Sequence, residues 1–297
     1  MNFQPLQPGD AVAVVAPSGP FTEERLSRGL ATLEARGFRV KPGRNLRAAS
    51  RYLAAPDEAR AADLAAAFAD PEVRAVFAVR GGYGAMRLLP RIDWAEAARS
   101  GKPLVGFSDI TALHLALLAA GGRSVHGPVV TRLGEENEAS LTRLFRLLGT
   151  GSAPTPIAGR QVVPGRAEGP LVGGCLSLVS RLVGTPYLPS LDGAILLLED
   201  VGEKPYAIDR MWTQLALAGV LDRIAGVVLG DLTGCEEPGA DYTAAEVVLD
   251  LLAELGKPAL VGLPIGHGAV NLAVPLGARA ILEDGWLRFE AGLFQEK

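Results

Sequence analysis

Cysteine and histidine are scarce in this chain of 297 residues, which has two cysteines and three histidines. Cys175 and Cys235 stand far apart, so this pair alone gives no disulfide framework and no CxxC metal motif. The histidines show no HExxH or His-x-His spacing. The sequence therefore predicts a protein of a reducing compartment, with no metal and no cofactor.

An excess of positive charge and long apolar runs are also missing. The formal net charge is −4 and there is no basic stripe, so nucleic-acid binding is not expected. No uninterrupted apolar run approaches the roughly 18–20 residues of a membrane span. The first residues have no basic stretch before their apolar segment, unlike a secretory signal. We therefore expect a soluble, intracellular protein that does not enter a membrane.

Apolar residues, in contrast, make up 48% of the chain, which is enough to bury a sizeable core. Apolar runs at 11–16, at 73–79 (interrupted by Arg74) and at 104–107 predict strands that are buried on both faces, as in a parallel sheet. Segments with apolar residues at helical spacing lie between these runs. The first half of the sequence therefore predicts an α/β fold around a mainly parallel sheet.

The composition changes after residue 148, where Gly, Pro, Ser and Ala become frequent. We predict an N-terminal α/β domain over residues 1–150, a linker over 151–166 and a C-terminal domain over 167–297. The C-terminal part also mixes apolar strand runs with helical patterns.

Two local signals mark structure in this C-terminal part. Thr243 and Glu246 have the spacing of a capping box and predict the start of a helix. Asp284-Gly285 stands between two short apolar runs and predicts the turn of a β-hairpin.

Residues 103–111 (PLVGFSDIT) predict a strand, a sharp turn and a helix, with Ser108 at the turn. A serine in this position presents its hydroxyl above the sheet, beside the first free N–H groups of the helix. An acyl-transfer nucleophile needs both features. The alternative is a serine that caps the helix and has no chemical role, since serine is a favoured N-cap residue.

Glu199 and His267 each follow an apolar strand at its end. Histidine can take a proton from serine near neutral pH, and a carboxylate can orient the imidazole. The residues therefore allow a triad in the chain order Ser108, Glu199, His267, although Ile110 breaks the G-x-S-x-G signature of α/β-hydrolases. The alternatives are a solvated loop carboxylate for Glu199 and an ordinary loop histidine for His267.

The other two histidines are given structural interpretations. His114 lies on the apolar side of a leucine-rich helix and is predicted to be a core or interface residue. His126 precedes Gly-Pro and is predicted to be structural, with a place in the cleft as the alternative.

The glycine-rich segment 80–84 (RGGYG) follows a predicted strand. It lacks the G-K-[ST] ending of a P-loop and the acidic residue of a dinucleotide-binding fingerprint. We interpret it as a donor of backbone N–H groups to an oxyanion, with a plain turn as the alternative.

Five motifs in this order resemble those of the serine LD-carboxypeptidase family. The resemblance extends over nearly the whole chain and is specific because the motifs occur together. The motifs are Val15–Gly19 (VAPSG), Arg80–Gly84 (RGGYG), Gly106–Asp109 (GFSD), Leu198–Asp200 (LED) with Glu203 and Pro205, and Gly266–Gly268 (GHG).

The resemblance implies a fold and a set of site residues. It implies an N-terminal flavodoxin-like domain with a mainly parallel sheet, a C-terminal mixed α/β domain and an active site between them. It further implies a cytoplasmic, often homodimeric enzyme that needs no metal. The family's functional residues correspond to Ser108 as nucleophile, Glu199 as triad carboxylate, His267 as base, and the backbone N–H groups of Asp109 and of a glycine in Gly81-Gly82 as oxyanion hole.

The activity implied is hydrolysis of the L,D-peptide bond to the terminal D-alanine of murein tetrapeptide, in cell-wall recycling. One alternative is a microcin C immunity-type peptidase, which cleaves an aminoacyl-adenylate-like amide. A second alternative is a non-catalytic peptide- or sugar-binding module. At one position the sequence departs from the family pattern, because Cys175 follows Gly173-Gly174 where the family has Asn. This departure affects the expected substrate detail but not the triad.

Overall fold

The computed structural model describes residues 4–150, 152–290 and 292–293. Strands and helices alternate in its N-terminal half. The strands there are β1 (Ala11–Val15), β2 (Arg39–Pro42), β3 (Val73–Ala78), β4 (Leu104–Gly106) and β5 (Ser124–His126). The helices are α1 (Glu23–Ala35), α2 (Asp57–Ala69), α3 (Trp94–Arg99), α4 (Thr111–Ala119), α5 (Val130–Leu133) and α6 (Glu138–Thr150), with 3-10 helices at Ala85–Arg91 and Ser108–Ile110.

The C-terminal half has more strands than helices. Its strands are β6 (Ile157–Ala158), β7 (Arg160–Val163), β8 (Ala167–Cys175), β9 (Ile195–Val201), β10 (Gly226–Thr233), β11 (Ala259–Val261), β12 (Val274–Leu276), β13 (Arg279–Glu283) and β14 (Trp286–Phe289). Its helices are α7 (Leu176–Leu182), α8 (Pro205–Leu217), α9 (Val220–Arg223) and α10 (Ala244–Leu255).

The first sheet contains six strands in the order β2-β1-β3-β4-β5-β12. The first five are parallel and follow the strand order of flavodoxin-like folds. The sixth, β12, comes from the C-terminal half and pairs antiparallel with β5. The apolar runs that predicted β1, β3 and β4 form the buried centre of this sheet. The predicted α/β fold with a mainly parallel N-terminal sheet is confirmed.

The second sheet contains eight strands in the order β6-β14-β13-β8-β9-β10-β11-β7. The central strands β8, β9, β10 and β11 are parallel, and the outer pairs are antiparallel. The predicted hairpin is β13–β14, and Asp284 and Gly285 both have positive φ, as a type I′ turn requires. This sheet confirms the mixed α/β character expected of the C-terminal half.

Side-chain caps fix the starts of α1 and of α10, and the sequence predicts the second of them. The hydroxyl of Thr22 accepts a hydrogen bond from the N–H of Arg25 at the start of α1. Both reciprocal bonds of the capping box between Thr243 and Glu246 are present at the start of α10. None of the helices in the described residues has the length and apolarity needed to cross a bilayer.

Two segments differ from their local prediction. The segment after Gly84 lies between the runs 73–79 and 104–107, where the helical spacing of apolar residues predicts an α-helix. It is the 3-10 helix Ala85–Arg91, and it contains Pro90. Proline has no N–H to donate and its ring clashes with the preceding turn, so it disfavours a regular α-helix here. The predicted linker 151–166 contains β6 and β7, which lie at opposite edges of the second sheet. Pairing with distant strands orders this segment, and the local composition gives no sign of that pairing.

The sheets place the candidate residues at one end of the molecule. The Arg80–Gly84 turn follows β3, Ser108 follows β4, Glu199 lies near the end of β9, and His267 follows β11. Helix α4 packs against α7 and β8, which joins the two halves next to these strand ends. Ligands of parallel α/β sheets bind at such carboxyl ends.

Candidate active site

Ser108 occupies the sharp turn between β4 and α4, and its backbone is strained. Its φ is +65°, in the left-handed region that residues other than glycine rarely adopt. Such strain costs on the order of 1–3 kcal/mol and is concentrated at functional sites. The N-cap of the 3-10 helix is Phe107, and that of α4 is Ile110. The predicted strand, turn and helix are confirmed, and the interpretation of Ser108 as an N-cap is wrong.

The Gly81-Gly82 turn packs directly against Ser108. A Cβ atom at Gly81 would lie 2.8 Å from Cβ and 2.9 Å from Oγ of Ser108, and 3.3 Å from the backbone N of Asp109. The carbonyl of Gly81 accepts a hydrogen bond of 3.1 Å from the N–H of Gly19, which fixes the turn to the loop after β1. The three residues proposed for the oxyanion hole, Gly81, Gly82 and Asp109, therefore lie around the serine.

The side chain of Asp109 holds two turns together. Asp109 is only 3% exposed, and its Oδ2 accepts a hydrogen bond of 2.8 Å from the N–H of Ala85. Burial raises the pKa of the Asp109 carboxyl, while the Ser18 hydroxyl and the Ala85 N–H oppose the shift. The carboxyl therefore has a structural partner, and the backbone N–H is the part of Asp109 that can serve in chemistry.

His267 and Glu199 form a buried pair. Nδ1 of His267 lies 2.7 Å from Oε2 of Glu199, and Glu199 is fully buried. Burial raises the pKa of the Glu199 carboxyl, and the hydrogen bond from His267 lowers it in turn. Gly266 allows this approach, because a Cβ there would lie 2.5 Å from the same Oε2. Of the two acids that end the strand, Glu199 is therefore the partner of the histidine.

The ring of Phe107 connects this pair to the serine turn. Phe107 immediately precedes Ser108, and its ring centroid lies 4.7 Å from that of His267. A second histidine, His126, lies at the edge of the same phenyl ring, with a centroid distance of 5.9 Å. The C-terminal half thus delivers its histidine to the residue next to the candidate nucleophile, as the sequence analysis expects.

Three side chains that the sequence analysis did not identify hold the His267 loop. Asn271 accepts a hydrogen bond of 3.0 Å from the N–H of Gly266 through Oδ1. Asp231 accepts one of 3.2 Å from the N–H of Gly268, and Arg132 donates one of 2.9 Å to the carbonyl of Gly268. Asp231 follows an apolar strand run, and this position could have identified it as a candidate site residue. Nothing in the local sequence distinguishes Arg132 or Asn271. These contacts fix the loop from both halves of the chain.

Asp200 and Cys175 form a second buried group behind Glu199. Asp200 accepts a hydrogen bond of 2.7 Å from the N–H of Ser177 at the start of α7, and the thiol of Cys175 lies 3.2 Å from its other oxygen. Burial, together with Glu199 and Asp200, raises the pKa of the Cys175 thiol well above 9.0. The residue that departs from the family pattern is therefore a neutral thiol at neutral pH.

His114 and His126 are both fully buried, as the structural interpretation predicts. Nε2 of His114 lies 2.8 Å from the carbonyl of Gly106, and its Nδ1 contacts the hydroxyl of Ser124. Burial lowers the pKa of His114 to about 4 and that of His126 well below 6.5. Both imidazoles are therefore neutral at pH 7.

The arrangement has the parts that acyl transfer needs. A carboxylate that accepts the Nδ1 proton of His267 leaves Nε2 free to take a proton from a hydroxyl. A strained serine stands beside a glycine turn that can offer backbone N–H groups. In the part of the chain that the structure describes, no three His, Cys, Asp or Glu side chains converge as metal ligands would.

Comparison with known proteins covers both halves of the chain. Residues 12–127 match the LD-carboxypeptidase N-terminal domain, and residues 168–282 match the LD-carboxypeptidase C-terminal domain. The murein tetrapeptide carboxypeptidase of Pseudomonas aeruginosa is 37% identical over 299 residues, covering 96% of this chain and 97% of that protein.

Solved structures agree with the fold and the family. The crystal structure of muramoyltetrapeptide carboxypeptidase from Oxalobacter formigenes has a TM-score of 0.87 and 32% identity, covering 96% of this chain and all of that one (100%). The structure of MccF in complex with glutamyl sulfamoyl guanosine has a TM-score of 0.90 at 21% identity, covering 99% of each chain, and shares the fold. The resemblance predicted from the five motifs is thereby confirmed, and the chain belongs to the serine LD-carboxypeptidase family.

Proposed function

We propose that this protein removes the terminal D-alanine from murein tetrapeptide by hydrolysing its L,D-peptide bond. The observation that carries the proposal is the 2.7 Å contact between His267 and the buried Glu199, next to the strained Ser108 turn. The 37% identity to the murein tetrapeptide carboxypeptidase of Pseudomonas aeruginosa supports the substrate class. A cytoplasmic location and a homodimer, which the family resemblance implies, belong to the same proposal.

In the proposed mechanism, Ser108 attacks the carbonyl carbon of the bond to D-alanine. Nε2 of His267 takes the serine proton and then gives it to the leaving amine, while Glu199 stabilises the imidazolium. Backbone N–H groups of Asp109 and of Gly81 or Gly82 hold the negative oxygen of the tetrahedral intermediate. Water then attacks the acyl-enzyme, with His267 as base, and releases the shortened peptide.

The test follows D-alanine release from tetrapeptides by mass spectrometry. We expect Ser108→Ala to lower kcat by at least about a thousandfold, and Glu199→Gln by about 10²- to 10⁴-fold, because the imidazole loses its orienting charge. Ser190→Ala and Glu254→Gln make the same chemical changes at exposed positions and should keep full turnover. Failure to release D-alanine from several tetrapeptides would refute the substrate, and full turnover by Ser108→Ala would refute the mechanism.

One observation favours the microcin-type alternative as a second candidate. Tyr83 follows the Gly81-Gly82 turn, is 52% exposed, and has its ring centroid 5.8 Å from that of the exposed Tyr52. Exposed aromatic rings beside the site could stack on a nucleobase. Competition between a tetrapeptide and aspartyl sulfamoyl adenosine decides between the two candidates. Preferred binding of the nucleoside, with slow release of D-alanine, would favour the alternative.

A further inference from the structure

The substrate proposed above ends in a free carboxylate, yet none of the residues assigned to the reaction is permanently cationic. We propose that Arg80, beside a small cavity next to the Gly81 turn, binds this terminal carboxylate and makes the enzyme select a free chain end. The inference rests on the proposed function and names a specificity residue for it.

The cavity has a volume of about 310 Å³ and adjoins the loop after β1. Its lining combines polar and cationic side chains with one aromatic ring. It is lined by Pro20, Phe21, Thr22, Arg25, Arg80 and Thr131. A planar guanidinium at such a wall matches a carboxylate through two parallel hydrogen bonds.

Arg80 is the cation of this wall whose charge is free to bind an anion. Its side chain is exposed and donates a hydrogen bond to the carbonyl of Pro20, which is neutral. Among the described residues, no carboxylate forms an ion pair with it. Arg25, in contrast, donates hydrogen bonds of 3.1 Å and 2.6 Å to the two oxygens of Glu135.

Residues next in sequence to the cavity lining connect the cavity to both the serine turn and the His267 loop. The residue after Arg80 is Gly81, which packs against Ser108. Thr131, which also lines the cavity, precedes Arg132, which donates a hydrogen bond to the loop of His267. Because the proposed mechanism has His267 give its proton to the leaving amine, the D-alanine would lie beside the His267 loop, with its carboxylate separated from that amine by one carbon.

Arg132, the cation next to the His267 loop, is already engaged. Its Nε lies 3.1 Å from Oε1 of Glu136, and its Nη2 bonds the carbonyl of Gly268. The Glu136 side chain is fully buried, so breaking this ion pair would leave a buried charge without its partner, which is strongly destabilising. Arg132 therefore orients the His267 loop, and Arg80 is the cation that remains to bind the terminal carboxylate of the substrate.

The test compares a tetrapeptide that ends in D-alanine with the same peptide ending in D-alaninamide. We expect the wild type to prefer the free acid in kcat/KM by about 10- to 100-fold, the range of a charged hydrogen-bonded contact. Arg80→Gln should remove most of this preference by lowering turnover of the acid and sparing the amide. Arg80→Lys should restore part of it, because the charge returns without the planar fork.

Arg74→Gln is the matched control, since Arg74 is an exposed arginine on β3, the strand that precedes the Arg80–Gly84 turn. It should leave the preference unchanged. Turnover of the amide by Arg80→Gln reports that the variant is folded. An equal loss for acid and amide, no change for either, or a wild type without preference would overturn the role of Arg80.

A binding comparison separates this inference from the proposed function. Affinities of acid and amide for Ser108→Ala, measured by calorimetry, need no turnover. Tighter binding of the acid that disappears in Ser108→Ala/Arg80→Gln supports the carboxylate site, and equal affinities refute it. Absence of D-alanine release by the wild type would refute the proposed function alone.

Discussion

At the scale of single residues, the absence of a side chain at Gly81 allows the glycine turn to pack against Ser108. Ser108, the proposed nucleophile, and the backbone of Asp109 occupy the space that a methyl group at Gly81 would need. A contact of 2.9 Å to Ser108 Oγ is below the distance that real Cβ atoms tolerate. Either the turn or the serine must move to accept it.

Gly81→Ala is therefore predicted to lower kcat by about a hundredfold or more, because a displacement near 1 Å misaligns nucleophile and oxyanion donors. The measurement is D-alanine release together with thermal unfolding, to show that the variant is folded. Gly121→Ala places a methyl group in open space at another turn, where φ is +82°; it should lose some stability through backbone strain but keep turnover. Wild-type kcat in Gly81→Ala would contradict the packing argument.

The sequence pointed to candidate site residues but not to all of the residues that hold them. Ser108, Glu199 and His267 were proposed because each polar residue follows an apolar strand run. Their mutual geometry was not predictable, because β4, β9 and β11 belong to two different sheets. Arg132 and Asn271 were missed because they act on the His267 loop from segments without local signal.

At the scale of elements, α10 has the best-defined start in the chain. The hydroxyl of Thr243 accepts a hydrogen bond of 3.1 Å from the N–H of Glu246, and Glu246 accepts one of 2.7 Å from the N–H of Thr243. These bonds satisfy two donors that the helix itself leaves free. The helix end is equally defined, because Gly256 adopts the left-handed conformation.

Thr243→Ala is predicted to lower the free energy of unfolding by about 1 kcal/mol, since it removes the N-cap acceptor. Urea unfolding followed by circular dichroism measures the change. Thr213→Ala makes the same substitution at an exposed position within α8, where alanine favours the helix, and should not destabilise the protein. Equal destabilisation by both variants would show that the cap contributes nothing.

Elements with a strong local signal were predictable, and those formed by distant pairing were not. The apolar runs gave β1, β3, β4 and β9, because strands buried on both faces are apolar throughout. The strands β6 and β7 lie in a Gly- and Pro-rich segment, and their order comes from pairing with β14 and β11. The short strand β12 was not recognised, because its sequence VPL carries a proline.

At the scale of the whole molecule, buried histidines couple stability to pH. The folded chain keeps His114 neutral with a pKa of about 4, whereas the unfolded chain protonates it near 6.5. Below pH 6.5 the unfolded state therefore binds a proton that the folded state excludes. The stabilising contribution is complete above pH 6.5 and is lost progressively as the pH falls toward 4.

We predict that the free energy of unfolding falls by up to about 3 kcal/mol over this range through His114 alone, at 1.36 kcal/mol for each unit of pKa difference. Denaturant unfolding at several pH values measures the slope. His114→Gln should flatten it, while Ser124→Ala removes the neighbouring hydroxyl, retains the imidazole and should keep it. An unchanged slope in His114→Gln would exclude this histidine as the source.

The antiparallel pairing of β12 with β5 also predicts how the protein behaves when it is expressed as two separate fragments. Residues 1–150 made alone would end their sheet at β5 with unpaired N–H and C=O groups, an edge prone to self-association. Residues 151–297 made alone, which keep β6 and β7 with the second sheet, would carry β12 as a strand without a partner. Because β12 of the second fragment pairs with the free edge of β5 in the first, co-expressed fragments should reassemble. In the complex, β12 again forms the edge strand of the N-terminal sheet.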